Sequence, residues 1–141
     1  MEHDPYDLQR FIDAQAPLMA RVEAELQAGR KTSHWMWFVF PQMRGLGRSA
    51  MAERYGIASL DEARAYLAHP VLGKRLRDCC SLMLAVQGSS AHAIFGSPDD
   101  SKFRSSLTLF KRTAPEEGVF AECLQKYYEG VDDPATLALL K

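Results

Sequence analysis

The chain has 141 residues, of which 47% are hydrophobic and 25% charged, and its formal net charge is −1. This size and balance are typical of one globular domain, so we interpret residues 1–141 as a single domain. The longest run of large apolar residues, Trp35–Phe40, is far shorter than the roughly 20 residues of a membrane-spanning helix. The acidic N-terminus lacks the pattern of a secretory signal, so we expect a cytoplasmic protein that contacts no membrane.

Charge is unevenly distributed along the chain. Residues 1–29 carry 2 basic and 6 acidic side chains, residues 30–112 carry 13 and 6, and residues 113–141 carry 2 and 6. The net charges are therefore −4, +7 and −4. Either the middle forms a basic face that attracts anions, or the acidic ends pack onto it. Because no block of consecutive basic residues exists, we expect no nucleic-acid partner.

Two helices are predicted before residue 30. Apolar residues recur at helical spacing within residues 8–12 and again within residues 18–26. Pro17 separates the two stripes and suits a first helical turn, where its missing N–H is not needed.

The next segment, residues 33–42, holds four of the 14 aromatic side chains between Trp35 and Phe40. It predicts a short buried helix or an extended plug, or else an aromatic wall for a ligand, because tryptophan joins an apolar ring to a polar N–H. In the second case Trp35, Trp37 and Gln42 contact the ligand. His34 is then a candidate for proton transfer, and its alternative role is to donate to a backbone carbonyl.

Residues 43–49 combine two glycines with Arg44, Arg48 and Ser49. Glycine permits close backbone approach, and arginine binds phosphate or carboxylate through its planar fork. We therefore take Arg44 as a candidate anion anchor, although the spacing is not that of a phosphate loop.

Two further helix starts follow. Ser59 and Glu62 have the spacing of a capping box, and Pro70 precedes an apolar stripe. The odd number of cysteines favours buried free thiols over disulfides or a catalytic thiol. They are Cys79, Cys80 and Cys123.

A helix is also predicted to begin at Ser97-Pro98-Asp99-Asp100. Ser97 offers a side-chain cap, and the two carboxylates suit the positive end of the helix dipole. Asp99 and Asp100 are also candidates for proton transfer.

Within this helix, Ser101, Ser105 and Thr108 share one face, with Lys102 and Arg104 beside it. A hydroxyl stripe next to cations is suited to an anion or a sugar. It also permits another helix to approach closely, and both interpretations stay open.

The last two helix starts are Pro115 and Asp133-Pro134. No convincing period-2 pattern occurs anywhere. The sequence therefore predicts an all-α fold of about seven or eight helices with no significant sheet. The four histidines and the cysteines lack zinc-site spacing, so we expect neither a metal nor a cofactor.

Several long stretches together resemble the bacterial and fungal family catalogued as domain of unknown function 1810. The similarity runs nearly end to end. It implies a mainly α-helical compact fold and no established activity. The stretches are SHWMWFVFPQMRGLG at 33–47, HPVLGKRLRDC at 69–79, IFGSPDDSKFRSSLTLF at 94–110 and KYYEGVDDPATLALL at 126–140.

Residues 126–140 also bear a fainter likeness to the helical N-glycosidases that act on riboflavin-pathway intermediates and ADP-ribose adducts. No catalytic residue is carried over from that family. The likeness favours a ligand with ribose and phosphate groups.

We therefore hold two hypotheses. In the first, the chain is an enzyme or sensor for a small anionic, phosphate-bearing, nucleotide-like or ADP-ribose-like ligand, and is a monomer or weak homodimer. In the second, it is a non-catalytic interaction module whose aromatic segment is the hot spot. The candidate residues of the first are Trp35, Trp37, Gln42, Arg44, Lys102, Arg104 and Ser105 for binding and His34, Asp99 and Asp100 for proton transfer.

Overall fold

The computed structural model describes residues 3–140, and its regular secondary structure is helical. Over that range it has no β-strand, and extended pairing is limited to one parallel bridge between Met43 and Ile57. The all-α prediction is confirmed. None of the described helices is both long and apolar enough to cross a membrane. They are α1 (Gln9–Gln15), α2 (Met19–Ala28), α3 (Met36–Val39), α4 (Ala50–Tyr55), α5 (Leu60–Ala68), α6 (Leu72–Ala85), α7 (Ala91–Phe95), α8 (Asp99–Thr113), α9 (Gly118–Tyr128) and α10 (Pro134–Leu139).

Two short helices explain why the described residues form ten helices and not seven or eight. α4 has six residues and α7 has five, which is less than two turns, so no apolar stripe can mark them in the sequence. Each begins at a serine cap. Ser49 accepts a hydrogen bond from the N–H of Ala52, and Ser90 accepts one from Ala93. Ser49 is thus a helix cap within the Gly-Arg stretch.

The predicted caps agree with the structure at two of three positions. Ser59 and Asp133 cap α5 and α10. The predicted cap at Ser97 is wrong, because α8 begins without a side-chain cap. The carbonyl of Gly96 accepts the N–H of Asp100 at 2.9 Å, so the backbone already satisfies this first-turn donor.

The buried hydrophobic side chains form one cluster, and α8 is its central helix. α8 contacts α5, α7, α9 and α10, while α6 packs against α2, α5 and α9. The ring centroid of Phe103 on α8 lies 4.7 Å from that of Phe40 and 5.0 Å from that of Phe95. Because Phe40 directly follows α3, this contact places the loop after α3 beside the first half of α8.

Acidic side chains of the C-terminal part pair with the basic middle of the chain. Lys111 Nζ lies 3.0 Å from Asp132 Oδ1, and Arg77 Nε lies 2.5 Å from Glu117 Oε1. The structure thus favours self-complementation of charge over an open basic face.

The three cysteines, Cys79, Cys80 and Cys123, are free and buried, as predicted. Cys123 Sγ lies 3.5 Å from the carbonyl oxygen of Cys80, so these two residues belong to the contact between α6 and α9.

Candidate ligand-binding site

A cleft opens where α3, the loop over residues 42–47 and the first half of α8 meet. Its outer part is a cavity of about 370 Å³, which is in the range of small-molecule sites. An inner recess of about 10 Å³ has room for about one water molecule. Gln42 and Lys102 line both parts, and we call the whole the Lys102 cleft. The recess is also lined by Met36, Trp37, Phe40, Ala52, Tyr55 and Gly56, and the outer part by Leu46, Gly47, Pro98, Ser101, Ser105, Asp133 and Ala135.

Within α3, Trp37 is positioned differently from its three neighbours. The other three residues of α3 are buried, whereas Trp37 is partly exposed and lines the recess. The facing loop lies close to α4, because a Cβ atom at Gly47 would be 2.7 Å from that of Ala52. A side chain at this glycine would force the loop away from α4 and change the shape of the cleft.

Three charged side chains form a row beside the cleft. Lys102 Nζ lies 5.1 Å from the ring centroid of Trp37 and 3.6 Å from Asp99 Oδ1. The other oxygen of this carboxylate, Oδ2, is 2.7 Å from Lys31 Nζ. Lys31 Nζ in turn lies 5.2 Å from the ring centroid of Trp35. The row therefore holds two positive charges and one negative charge, and each ammonium group faces an indole ring.

Trp35 lies in the core and offers no face to a ligand. It is 0% exposed, and its indole Nε1 donates to Glu25 Oε1 at 3.0 Å. Between the two tryptophans proposed as an aromatic wall, Trp37 alone lines the cleft. The structure therefore shows a short buried helix that presents one aromatic ring.

The hydroxyl face of α8 is covered by the segment that follows α9. Ser105 Oγ lies 2.8 Å from Asp133 Oδ2, and the N–H of Asp133 donates to Thr108 Oγ1 at 2.9 Å. Close approach of another segment is thus the role of this face in the structure. Ser105 still lines the outer cleft, together with Ser101.

The two candidate arginine anchors lie outside the Lys102 cleft. Arg104 donates to the backbone carbonyls of Val131 and Asp132, at 3.0 and 2.8 Å. It follows Lys102 by two residues, about 200° around the helix, and therefore faces another direction. Arg44 lines a separate surface groove and donates to the carbonyl of Gly56 at 3.3 Å. The structure does not bring the two arginines together.

None of the three proton-transfer candidates lines the cleft, although Asp99 contacts Lys102 and Asp100 contacts Ser101, which do. His34 is exposed and is not among the residues that line it. Asp100 Oδ2 lies 3.1 Å from His92 Nδ1, and its Oδ1 accepts the N–H of Ser101. Within residues 3–140, no group of three or more His, Cys, Asp or Glu side chains is arranged to hold a metal ion.

A family model described as "Protein of unknown function (DUF1810)" matches residues 5–140. The chain belongs to the DUF1810 family. The resemblance found in the sequence is therefore confirmed. The DUF1810 chain is also similar to the crystal structure of the conserved hypothetical protein Rv1873 from Mycobacterium tuberculosis. The two are 57% identical over 97% of this chain and 98% of that chain, with a TM-score of 0.96. Among curated proteins, none matches this chain.

The sequence analysis of this DUF1810 protein missed two residues that the structure places near the cleft. Lys31 completes the charged row through Asp99, and Glu25 fixes the backbone just after Lys31. Neither belongs to a motif. The contact between Lys31 and Asp99 joins residues far apart in sequence, so no local pattern could indicate it.

Proposed function

We propose that this DUF1810 protein binds a small anionic ligand in the Lys102 cleft. The observation that carries the proposal is that Gln42 and Lys102 line an open cavity of about 370 Å³, next to the small recess that Trp37 lines. The indole ring provides a stacking surface, the ammonium group attracts an anion, and the amide offers a donor and an acceptor. Few polar groups in a partly apolar cavity are typical of small-molecule sites.

The ligand that suits these groups carries a planar ring and a phosphate, as in a nucleotide-like or ADP-ribose-like compound. The phosphate is bound by Lys102 in the outer cavity, and the ring lies against the exposed part of Trp37. Ser101 at the edge of the cavity provides a further hydroxyl for a sugar. The anchors proposed here are therefore Lys102, Gln42 and Trp37, without Arg44 and Arg104.

The structure supports binding of a ligand in the Lys102 cleft better than proton transfer to or from it. Asp99 lies between Lys31 and Lys102, with both of its oxygens facing ammonium groups. A carboxylate in this position is engaged by cations and is poorly placed to remove a proton from a ligand.

An interaction module is supported less well, because it needs an exposed aromatic surface. Within the fully described segment 35–40, Trp37 is the one side chain with appreciable exposure. The exposed large hydrophobic residues of the described chain lie elsewhere. They are Val71, Val131 and Leu139.

The test is a thermal-shift and tryptophan-fluorescence panel with ADP-ribose, AMP, ribose 5-phosphate and inorganic phosphate. A ligand at 100 times its Kd stabilises by about 2.7 kcal/mol, which corresponds to a Tm increase of about 5 to 10 °C for a chain of this size. The increase should be lost in Lys102→Gln and Trp37→Leu. It should be retained in Lys74→Gln, an exposed lysine on α6. No shift with any of the four compounds at millimolar concentration contradicts the proposal.

A further inference from the structure

Lys31 has a position beside the cleft that the proposed function does not explain. We infer that Lys31 is a positioning residue: by holding Asp99, it leaves the ammonium group of Lys102 available to attract an anion into the cleft. The inference rests on the proposed function for its site. It concerns the electrostatic potential of that site, which can be measured without knowing the ligand.

The two lysines contact the same carboxylate unequally. Lys31 Nζ lies 2.7 Å from Asp99 Oδ2, the distance of a charge-assisted hydrogen bond. Lys102 Nζ lies 3.6 Å from Oδ1, beyond the usual hydrogen-bond distance. Asp99 is therefore held mainly by Lys31. Lys102 keeps its hydrogen-bond donors for another acceptor, and it lines the cleft where Lys31 does not.

Lys31 is held in place by contacts that keep it out of the cavity. Its side chain is 7% exposed, and its ammonium group faces the buried ring of Trp35. Its backbone N–H donates to the carbonyl of Ile94 at 2.8 Å. Because it cannot extend into the cleft from this position, Lys31 acts on a ligand through Asp99.

Opposite effects are expected when the two partners are substituted. Without Lys31, the carboxylate of Asp99 has Lys102 as its remaining cationic partner and draws that ammonium group away from the cavity. Anion attraction then falls. Without the charge of Asp99, Lys102 is released and anion attraction rises.

Iodide quenching of tryptophan fluorescence measures this potential directly. The chain has two tryptophans, and Trp35 is buried, so an anionic quencher reports on Trp37. The ratio of the iodide quenching constant to the acrylamide quenching constant, measured at constant low ionic strength, separates the effect of local charge from that of the accessibility of the Trp37 ring. Lys31→Met should lower this ratio about two- to threefold, and Asp99→Asn should raise it by a similar factor, the size expected for a partly exposed ion pair. Lys31→Arg should restore the wild-type ratio.

The double variant with both Lys31→Met and Asp99→Asn tests whether Lys31 acts through Asp99. If Lys31 acts through Asp99, Lys31→Met has little effect on the ratio in the Asp99→Asn background. An equal decrease in both backgrounds, or no decrease in either, overturns the inference. Lys31→Gln is measured in parallel, so that a folding defect of the methionine variant does not decide the result. Lys74→Met and Asp78→Asn, an ion pair of 2.6 Å on α6, are the matched controls and should leave the ratio unchanged.

Titration of the same variants with ADP-ribose, AMP, ribose 5-phosphate and inorganic phosphate distinguishes the two proposals. If the iodide ratios follow the expected order and none of the four compounds binds the wild type, the inference stands and the proposed function fails. If a compound binds at the cleft and the ratios do not follow that order, the proposed function stands and the inference fails.

Discussion

Protonation of Glu25 is expected to remove a large part of the stability of this fold. The Glu25 residue is 8% exposed, and its carboxylate accepts hydrogen bonds from the N–H groups of Thr32 and Ser33, the Ser33 hydroxyl and the Trp35 indole. Burial acts to raise the pKa of Glu25, but these hydrogen bonds together lower it from 4.5 to about 2. The difference between these pKa values corresponds to about 3 kcal/mol. Domains of this kind have a total stability of about 5 to 15 kcal/mol.

The direction of the pH dependence follows from the lowered pKa. The stabilisation is fully present above about pH 4.5 and is lost as the pH falls toward about 2. In urea denaturation, Glu25→Gln should therefore lower the free energy of unfolding by about 3 kcal/mol at pH 7, and by less than about half of that at pH 3. Glu122→Gln, at an exposed position on α9, should have no such effect. A difference between wild type and Glu25→Gln that is equal at pH 7 and pH 3 would refute this account.

Three further outcomes are expected. Trp35→Ala should cost about 3 to 5 kcal/mol in urea denaturation followed by circular dichroism, and Trp37→Ala about 1 to 2 kcal/mol, because its ring is partly exposed. Equal costs would contradict the different burial of the two rings. Arg104→Ala should accelerate hydrogen exchange at residues 131–136 while α8 stays protected, since it removes two hydrogen bonds from that segment. The three cysteines should resist a thiol reagent in the native protein and react fully in urea, because burial raises the pKa of Cys79 to about 12 and Cys80 is equally enclosed.

Local signals in the sequence predicted most helix starts but could not reveal the short helices α4 and α7. Pro17, Pro70 and Pro134 act through their own backbone geometry, so their effect is visible in one short window. α4 and α7 are too short to show an apolar stripe. Their serine caps could have indicated them, but serine is also common in turns.

Some of the candidate binding residues line the cleft and others do not, because the sequence does not determine how side chains pack. Trp37, Gln42, Lys102 and Ser105 line one cleft, as expected if residues 33–48 and 96–108 meet. The direction of a side chain depends on its packing, which composition does not contain. Trp35 is therefore in the core although it has the same residue type as Trp37.

The turn over residues 31–35 links the stability of the fold to the charge of the cleft. Glu25 accepts the indole N–H of Trp35, which would otherwise be a costly unpaired group in the core. The same carboxylate fixes the backbone directly after Lys31. At pH 7, Glu25→Gln should therefore lower the iodide-to-acrylamide quenching ratio as well as the stability, although Glu25 does not line the cleft. The expected cause is that a looser turn moves Lys31 away from Asp99. A variant that loses stability and keeps the wild-type ratio would show that the two roles of this turn are independent.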